Sequence, residues 1–155
     1  MILIGAMSTD RVIGRGDGMP WDVPDEYAHF LRAIAGHSLI LGRRSFEIFG
    51  RGLTSAHTFV VSRSAHALPN ATVVGSLQEA IDAAAAIGGP VFCGGGASIY
   101  AQALPLASSM QLSFIKGEYT GDAHFPAWRA EEWAEVRRED HPRWTFVEYV
   151  RMENG

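Results

Sequence analysis

Four short stretches of this chain carry residue types that can do chemistry: one places a carboxylate beside apolar side chains, and three set glycine, hydroxyl and arginine groups at the ends of apolar runs. The carboxylate is Glu26. In the segment Pro24–Ala35, read at about 3.6 residues per turn, Tyr27, Phe30, Ala33 and Ile34 share an apolar face. Asp25, His29 and Arg32 fall on the polar one. Glu26 stands four residues before Phe30, at the border of the apolar face. A carboxylate there loses hydration, which raises its pKa and lets it hold or relay a proton near neutral pH. The helix dipole also favours a solvated glutamate in a first turn, and taken alone this segment fits that simpler account better.

The other three stretches share one chemistry. Gly42–Arg43–Arg44–Ser45 follows the apolar run Ser38–Leu41 and sits at a helix start, where free backbone N–H groups and guanidiniums attract phosphate. Ser62–Arg63–Ser64 follows Thr58–Val61. Gly94–Gly95–Gly96–Ala97–Ser98 follows Val91–Cys93, and its small residues let the backbone approach a ligand closely. Each alone is an ordinary corner. Three at successive strand ends fit the ligand-binding edge of an open α/β sheet. Neither dinucleotide-fold nor P-loop spacing is met. Arginines at two of the sites suit a dinucleotide with an extra phosphate, NADPH rather than NADH.

Strands and helices must position these groups. Ile2–Met7, Ser38–Leu41, Thr58–Val61, Thr72–Val74, Val91–Cys93 and Met110–Ile115 read as strands. Helical segments between them imply parallel crossovers. Pro24 suits a first helical turn and Gly36 a left-handed cap. Ser76–Leu77–Gln78–Glu79 is a capping box opening an alanine-rich helix that stops at Gly88–Gly89–Pro90. A third helix is expected from about Ala97 to Leu104, ended by Pro105. Ala134–Glu139 and Thr145–Met152 alternate, with a polar turn between them, as an antiparallel hairpin at the sheet edge would. The expected fold is three-layer α/β: a mixed, mostly parallel sheet with an antiparallel C-terminal hairpin, flanked by helices, in a single domain over residues 1–155.

Composition bounds the remaining classes. The net charge of -4, with 19% charged residues, argues against a nucleic-acid surface. No apolar run approaches a membrane span, and Met1–Met7 has neither the basic region nor the cleavage site of a leader. The single Cys93 cannot pair internally and suits a reducing cytoplasm; it is expected to be a buried packing residue. The six histidines show no metal-ligand spacing, so no metal site is expected. Trp128, Trp133 and Trp144 are expected as core or sheet cover. A monomer is expected.

Taken together, these residues resemble the dihydrofolate reductase family over about Met1 to Arg151. Asp10–Gly14 followed by Met19–Pro20–Trp21 resembles its mobile loop, and Pro24 through Phe30 its catalytic helix. Leu41–Ser45 and Val61–Arg63 resemble its cofactor-phosphate segments. Gly95–Tyr100 resembles a turn that carries a cis Gly-Gly peptide in the family. Gly121–Asp122–Ala123–His124–Phe125–Pro126 matches a signature whose aspartate, Asp122, tethers the loop.

The resemblance implies catalytic roles for Glu26, Trp21, Met19 and Ser113, the last replacing a usual threonine. Substrate contacts are implied for Ile4, Ala6, Tyr27, Phe30, Phe49 and Leu53. Cofactor contacts are implied for Ala6, Ile13 and Gly14, for Arg43, Arg44 and Ser45, and for Ser62 and Arg63. Gly95, Gly96, Ala97, Ser98, Ile99 and Tyr100 complete that set. The implied reaction is NADPH-dependent reduction of a 7,8-dihydropterin to the tetrahydropterin, in one-carbon metabolism.

One departure bears on the substrate. Ala56 stands where the family pattern places an arginine that pairs with the glutamate carboxylate of dihydrofolate. Leu31 replaces a usual basic residue, and Tyr27 and Phe49 are bulky for the tail cleft. His57 and Arg51 are the nearest substitutes for the missing cation. The reading therefore leans to a dihydromethanopterin-like substrate, with ordinary dihydrofolate reduction close behind. A reductase of a pyrimidine intermediate in flavin biosynthesis and a non-catalytic nucleotide-binding module are the remaining alternatives.

Overall fold

The computed structural model describes residues 1–16, 18–64 and 67–152. Its strands and helices begin where the apolar periodicity changes. Strand β1 (Ile2–Ser8) runs to a turn and a short strand β2 (Val12–Gly14), and helix α1 (Pro24–Ile34) follows. Strand β3 (Ser38–Gly42) leads into helix α2 (Arg43–Phe49), and β4 (His57–Val61) and β5 (Thr72–Val74) into helix α3 (Leu77–Ile87). Strand β6 (Val91–Cys93) precedes helix α4 (Ala97–Ala103), continued by one tight turn through Pro105. Strands β7 (Ser109–Ile115), β8 (Ala123–His124), β9 (Trp133–Asp140) and β10 (Trp144–Arg151) complete the chain.

The main sheet has eight strands in the order β5-β4-β3-β6-β1-β7-β10-β9. The first six pair in parallel and the last two antiparallel, as the C-terminal alternation implied. Strand β1 shows why the sheet is covered on both faces. Leu3 and Met7 point into a core shared with α3 and α4, and Ile4 points into a second core with α1 and α2. Strand β3 is buried almost end to end, as an inner parallel strand must be. The edge strand β9 instead carries Glu135, Arg137, Arg138 and Glu139, charges that discourage further pairing.

The capping box forms: Ser76 Oγ accepts from Glu79 N–H at 3.1 Å, and Glu79 Oε2 accepts from Gly75 N–H at 2.9 Å. Trp133 and Trp144 are buried, Trp128 packs against Phe125 and Tyr149, and Cys93 is fully buried, its thiol pushed up to about 11 by burial.

Two features differ from expectation. Strands β2 and β8 pair in a small second sheet, a contact of two and three residues too short to leave a periodic signal. His29, expected on the solvated face of α1, packs its ring 4.6 Å from Phe146 and 5.2 Å from Trp144. The reason is tertiary: β10 extends the sheet beneath that flank of the helix and presents aromatic surface to it. No helix among the described residues is long and apolar enough to cross a membrane.

Candidate active site

Glu26 owes its position to the way α1 begins. Pro24 occupies the first turn, and Val23 C=O accepts both the Glu26 N–H (3.1 Å) and the Tyr27 N–H (3.2 Å). The second residue after Pro24 thereby turns inward over β1 and β7. Its carboxylate is 6% exposed and bonded by the Ser113 side chain. Ser113 is itself buried at mid-strand, level with Ala6 of β1 and Phe146 of β10. Burial pushes Glu26 up to about 7 from 4.5, and the Ser113 bond lowers it in part. A group poised there can hold a proton at neutral pH and release it. The desolvated reading of Glu26 therefore prevails over the solvated one.

A cleft of about 600 Å³ opens over this carboxylate. Ile4, Gly5 and Ala6 of β1 form its floor, Tyr27 and Phe30 of α1 one wall, and Phe49 of α2 the other. Ile13, Met19, Ser45, Gly96 and Tyr100 close its inner end. Met19 of the catalytic set and five of the six expected substrate contacts thus meet around Glu26. Leu53, the sixth, packs with Phe30 against the core beneath α1 and α2. Trp21 lies beside the cleft, buried with Val23, Ile115 and Trp144 and edge-on to Tyr119 at 5.5 Å. Its Nε1 is buried with no hydrogen-bond partner among the described residues. Leu41 and Gly94, read in the sequence as parts of the phosphate segments, also line the cleft, as does Gly5, which had no signal because a strand interior looks the same whether it faces core or cavity.

A second cleft of about 1140 Å³ shares Ile13, Met19, Ser45, Phe49 and Gly96 with the first. Arg43 and Arg44 stand on one side, and Ala97, Ser98 and Ile99 at the start of α4 on the other. The Gly95–Gly96 peptide is cis. Gly95 has φ +93°, and a Cβ there would lie 2.5 Å from the Tyr100 ring, so only glycine fits. The Tyr100 hydroxyl donates to Ile4 C=O at 2.7 Å, locking this turn to β1. Ser62 and Arg63 do not line the cleft but lie close by, since Arg43 reaches Ser64 Oγ at 3.5 Å. Gly42, the first residue of the Gly42–Ser45 cradle, joins the lining, as does Ile48, which had not been singled out. These donors fit a bound dinucleotide phosphate: two guanidiniums, a hydroxyl and backbone laid bare by glycine.

Gly16, Gly18 and Met19, between β2 and α1, line this second cleft. Gly16 N–H reaches Asp122 Oδ2 at 3.4 Å, Asp122 N–H donates to Gly14 C=O at 3.1 Å, and Arg44 donates to Gly16 C=O at 2.5 Å. A Cβ on Gly121 would strike Gly14 C=O, so the tether needs glycine before the aspartate. Asp122 thus bonds both Gly14 and Gly16.

Ala56 is exposed at the end of the α2–β4 connection and lines neither cleft, as are His57 and Arg51. Among the described residues no group of three or more His, Cys, Asp or Glu is placed to hold a metal ion.

The sequence profile described as dihydrofolate reductase matches residues 1–151. The chain belongs to the dihydrofolate reductase family. Dihydrofolate reductase type A13 of Escherichia coli is 37% identical over 138 residues, covering 88% of this chain and 84% of the relative. Dihydrofolate reductase of Bacillus subtilis is 35% identical over 88% of this chain and 81% of its own. Dihydrofolate reductase HdrB of Haloferax volcanii is 33% identical over 98% and 84%. A solved dihydrofolate reductase from Enterococcus faecalis, complexed with NADP(H) and RAB-propyl, superposes with a TM-score of 0.88. It covers 98% of this chain and 96% of its own at 24% identity, and so establishes the fold. As a dihydrofolate reductase family member, the chain is an NADPH-dependent oxidoreductase acting on a CH–NH group.

Proposed function

We propose that the protein reduces 7,8-dihydrofolate to 5,6,7,8-tetrahydrofolate with NADPH, and that Glu26 and Ser113 orient the pterin and handle its proton. The supporting observation is the buried Glu26–Ser113 pair at the foot of an apolar cleft that adjoins a phosphate-binding one. Dihydrofolate displaces the dihydromethanopterin-like substrate to which Ala56, Leu31, Tyr27 and Phe49 pointed, because the named relatives, matched over 81% to 84% of their length, are dihydrofolate reductases.

Glu26 accepts hydrogen bonds from the pterin 2-amino group and N3, which fixes which ring edge faces the inner end of the cleft. Ile4, Ala6 and Phe30 exclude water from the ring faces. A proton from Glu26 reaches N5 by way of a water held near Met19 and the Trp21 Nε1–H. NADPH in the second cleft would supply the hydride. Arg43, Arg44, Ser45 and Ser98 would hold its phosphates, with Gly96 and Ala97 leaving backbone open to it. Loss of NADPH absorbance on adding 7,8-dihydrofolate tests the proposal; NADPH binding without turnover would overturn it.

A further inference from the structure

We infer that His29 is a positioning residue: its ring, packed on β10, holds helix α1 in the roll that keeps Glu26 buried against Ser113. The inference rests on the reading of Glu26 given above and says what maintains the surroundings of that carboxylate. His29 stands one turn after Glu26 on α1. Its ring meets Phe146 at 4.6 Å and 54° and Trp144 at 5.2 Å and 61°, both spacings of favourable ring contact. Phe146 is level with Ser113 across the β7–β10 pairing, and Ser113 bonds Glu26. Helix and sheet are therefore joined twice on this flank, once by the buried polar pair and once, a turn later, by rings. On the opposite flank Phe30 and Ile34 rest on the second core. A helix seated along that seam can still roll about it, and His29 is the contact that opposes the roll.

The surroundings of the ring give that roll a consequence. An open cavity of about 920 Å³ runs along this flank of α1, bounded by His29 and by the polar side chains of Arg32, Arg137 and His141. It reaches Gln111, two residues before Ser113 on the same face of β7, and Phe146, beside Ser113 on β10. Rolling α1 outward opens a path from this cavity to the Glu26–Ser113 pair, and hydration there relieves the burial that raises the carboxylate. The ring acts in its neutral form. Burial lowers its pKa, Glu139 raises it, and Arg32, Arg137 and His141 lower it again. Glu148, level with Gln111, also stands on that face of β10. A neutral ring of another kind can therefore do the same work.

Carbon-13 NMR of the Glu26 carboxyl, assigned through Glu26→Gln and titrated in the native protein, His29→Ala and His29→Phe, tests this. The titratable groups that interact with Glu26 are Tyr27 and Tyr100, both shifted above 10.0 and so neutral throughout. The native midpoint is expected at about 7. His29→Ala is expected to lower it by about one unit, and the midpoint of the single-turnover pH profile with it. His29→Phe is expected to leave both within about 0.3 unit of the native values. A lower urea midpoint for His29→Ala with an unmoved carboxyl midpoint overturns the inference, because the ring then serves stability alone. So does a phenylalanine variant that titrates like the alanine one. If His29→Ala does not fold, His29→Gln removes the ring at similar length and is read the same way. A carboxyl midpoint that moves as expected while turnover is unaffected supports the positioning and defeats instead the proton-handling role of Glu26.

Discussion

At the scale of single residues, the consequential one is Glu26. Its folded-state pKa of about 7 lies above the 4.5 of an exposed glutamate, so between those values the folded chain keeps a proton that the unfolded chain has released. Folding stability therefore falls as pH rises through that window, by on the order of 3 kcal/mol once both values are passed. Glu26→Gln, which cannot ionise, is expected to unfold at higher denaturant than the native protein at pH 8 and at nearly the same denaturant at pH 4. Urea titrations at the two values check this, and an equal difference at both would contradict it. The same substitution is expected to lower the hydride-transfer rate by roughly 100-fold or more near pH 7. The native enzyme is expected to lose rate above about pH 7 as Glu26 gives up its proton, and the substitution to abolish that fall while NADPH still binds. Single-turnover pH profiles read both effects.

At the scale of elements, α3 and the loop lining the cofactor cleft make opposite demands. The capping pair Ser76–Glu79 serves stability, and neither residue is among those lining the two clefts. Ser76→Ala is expected to cost about 1 kcal/mol of folding free energy, read as a lower urea midpoint, without changing KM for either substrate. The loop is held by a longer and more exposed contact, from Gly16 N–H to Asp122 Oδ2 at 3.4 Å. Asp122→Ala is expected to weaken NADPH binding and lower kcat by about fivefold, the share of one modest hydrogen bond, with little change in the unfolding midpoint. Ligand titration and steady-state kinetics measure the first, and thermal unfolding the second.

At the scale of the whole molecule, a chain with net charge -4 must attract a polyanionic cofactor, so attraction has to be local. Arg43 and Arg44 stand at the second cleft, with Arg63 on the neighbouring turn after β4. NADPH is expected to bind about tenfold more tightly than NADH at low salt, the difference shrinking once the screening length falls below about 10 Å. Calorimetric titration at several salt concentrations tests this; equal affinities would remove the phosphate argument. Saturation with NADPH at about a hundred times its Kd is expected to raise the unfolding midpoint by roughly 5–10 °C.

Much of this was legible in the sequence because it depends on local rules. Strand and helix positions follow from periodicity, the start of α1 from Pro24, and the start of α3 from a capping box. Gly95 and Gly121 sit where any side chain would collide. The phosphate cradles could be read from residue types that tolerate few substitutes at strand ends. What waited for the tertiary structure were properties set by segments far apart in sequence. His29 is covered by rings from β10, and β2 pairs with a strand more than a hundred residues later. The state of Glu26 was decided the same way. Helical periodicity placed it at the border of a face, but its pKa depends on how much water remains there. That is set by β1 and β7 closing beneath it and by Ser113 arriving from the other end of the chain. Desolvation is a sum over every atom packed nearby, and no local pattern carries that sum.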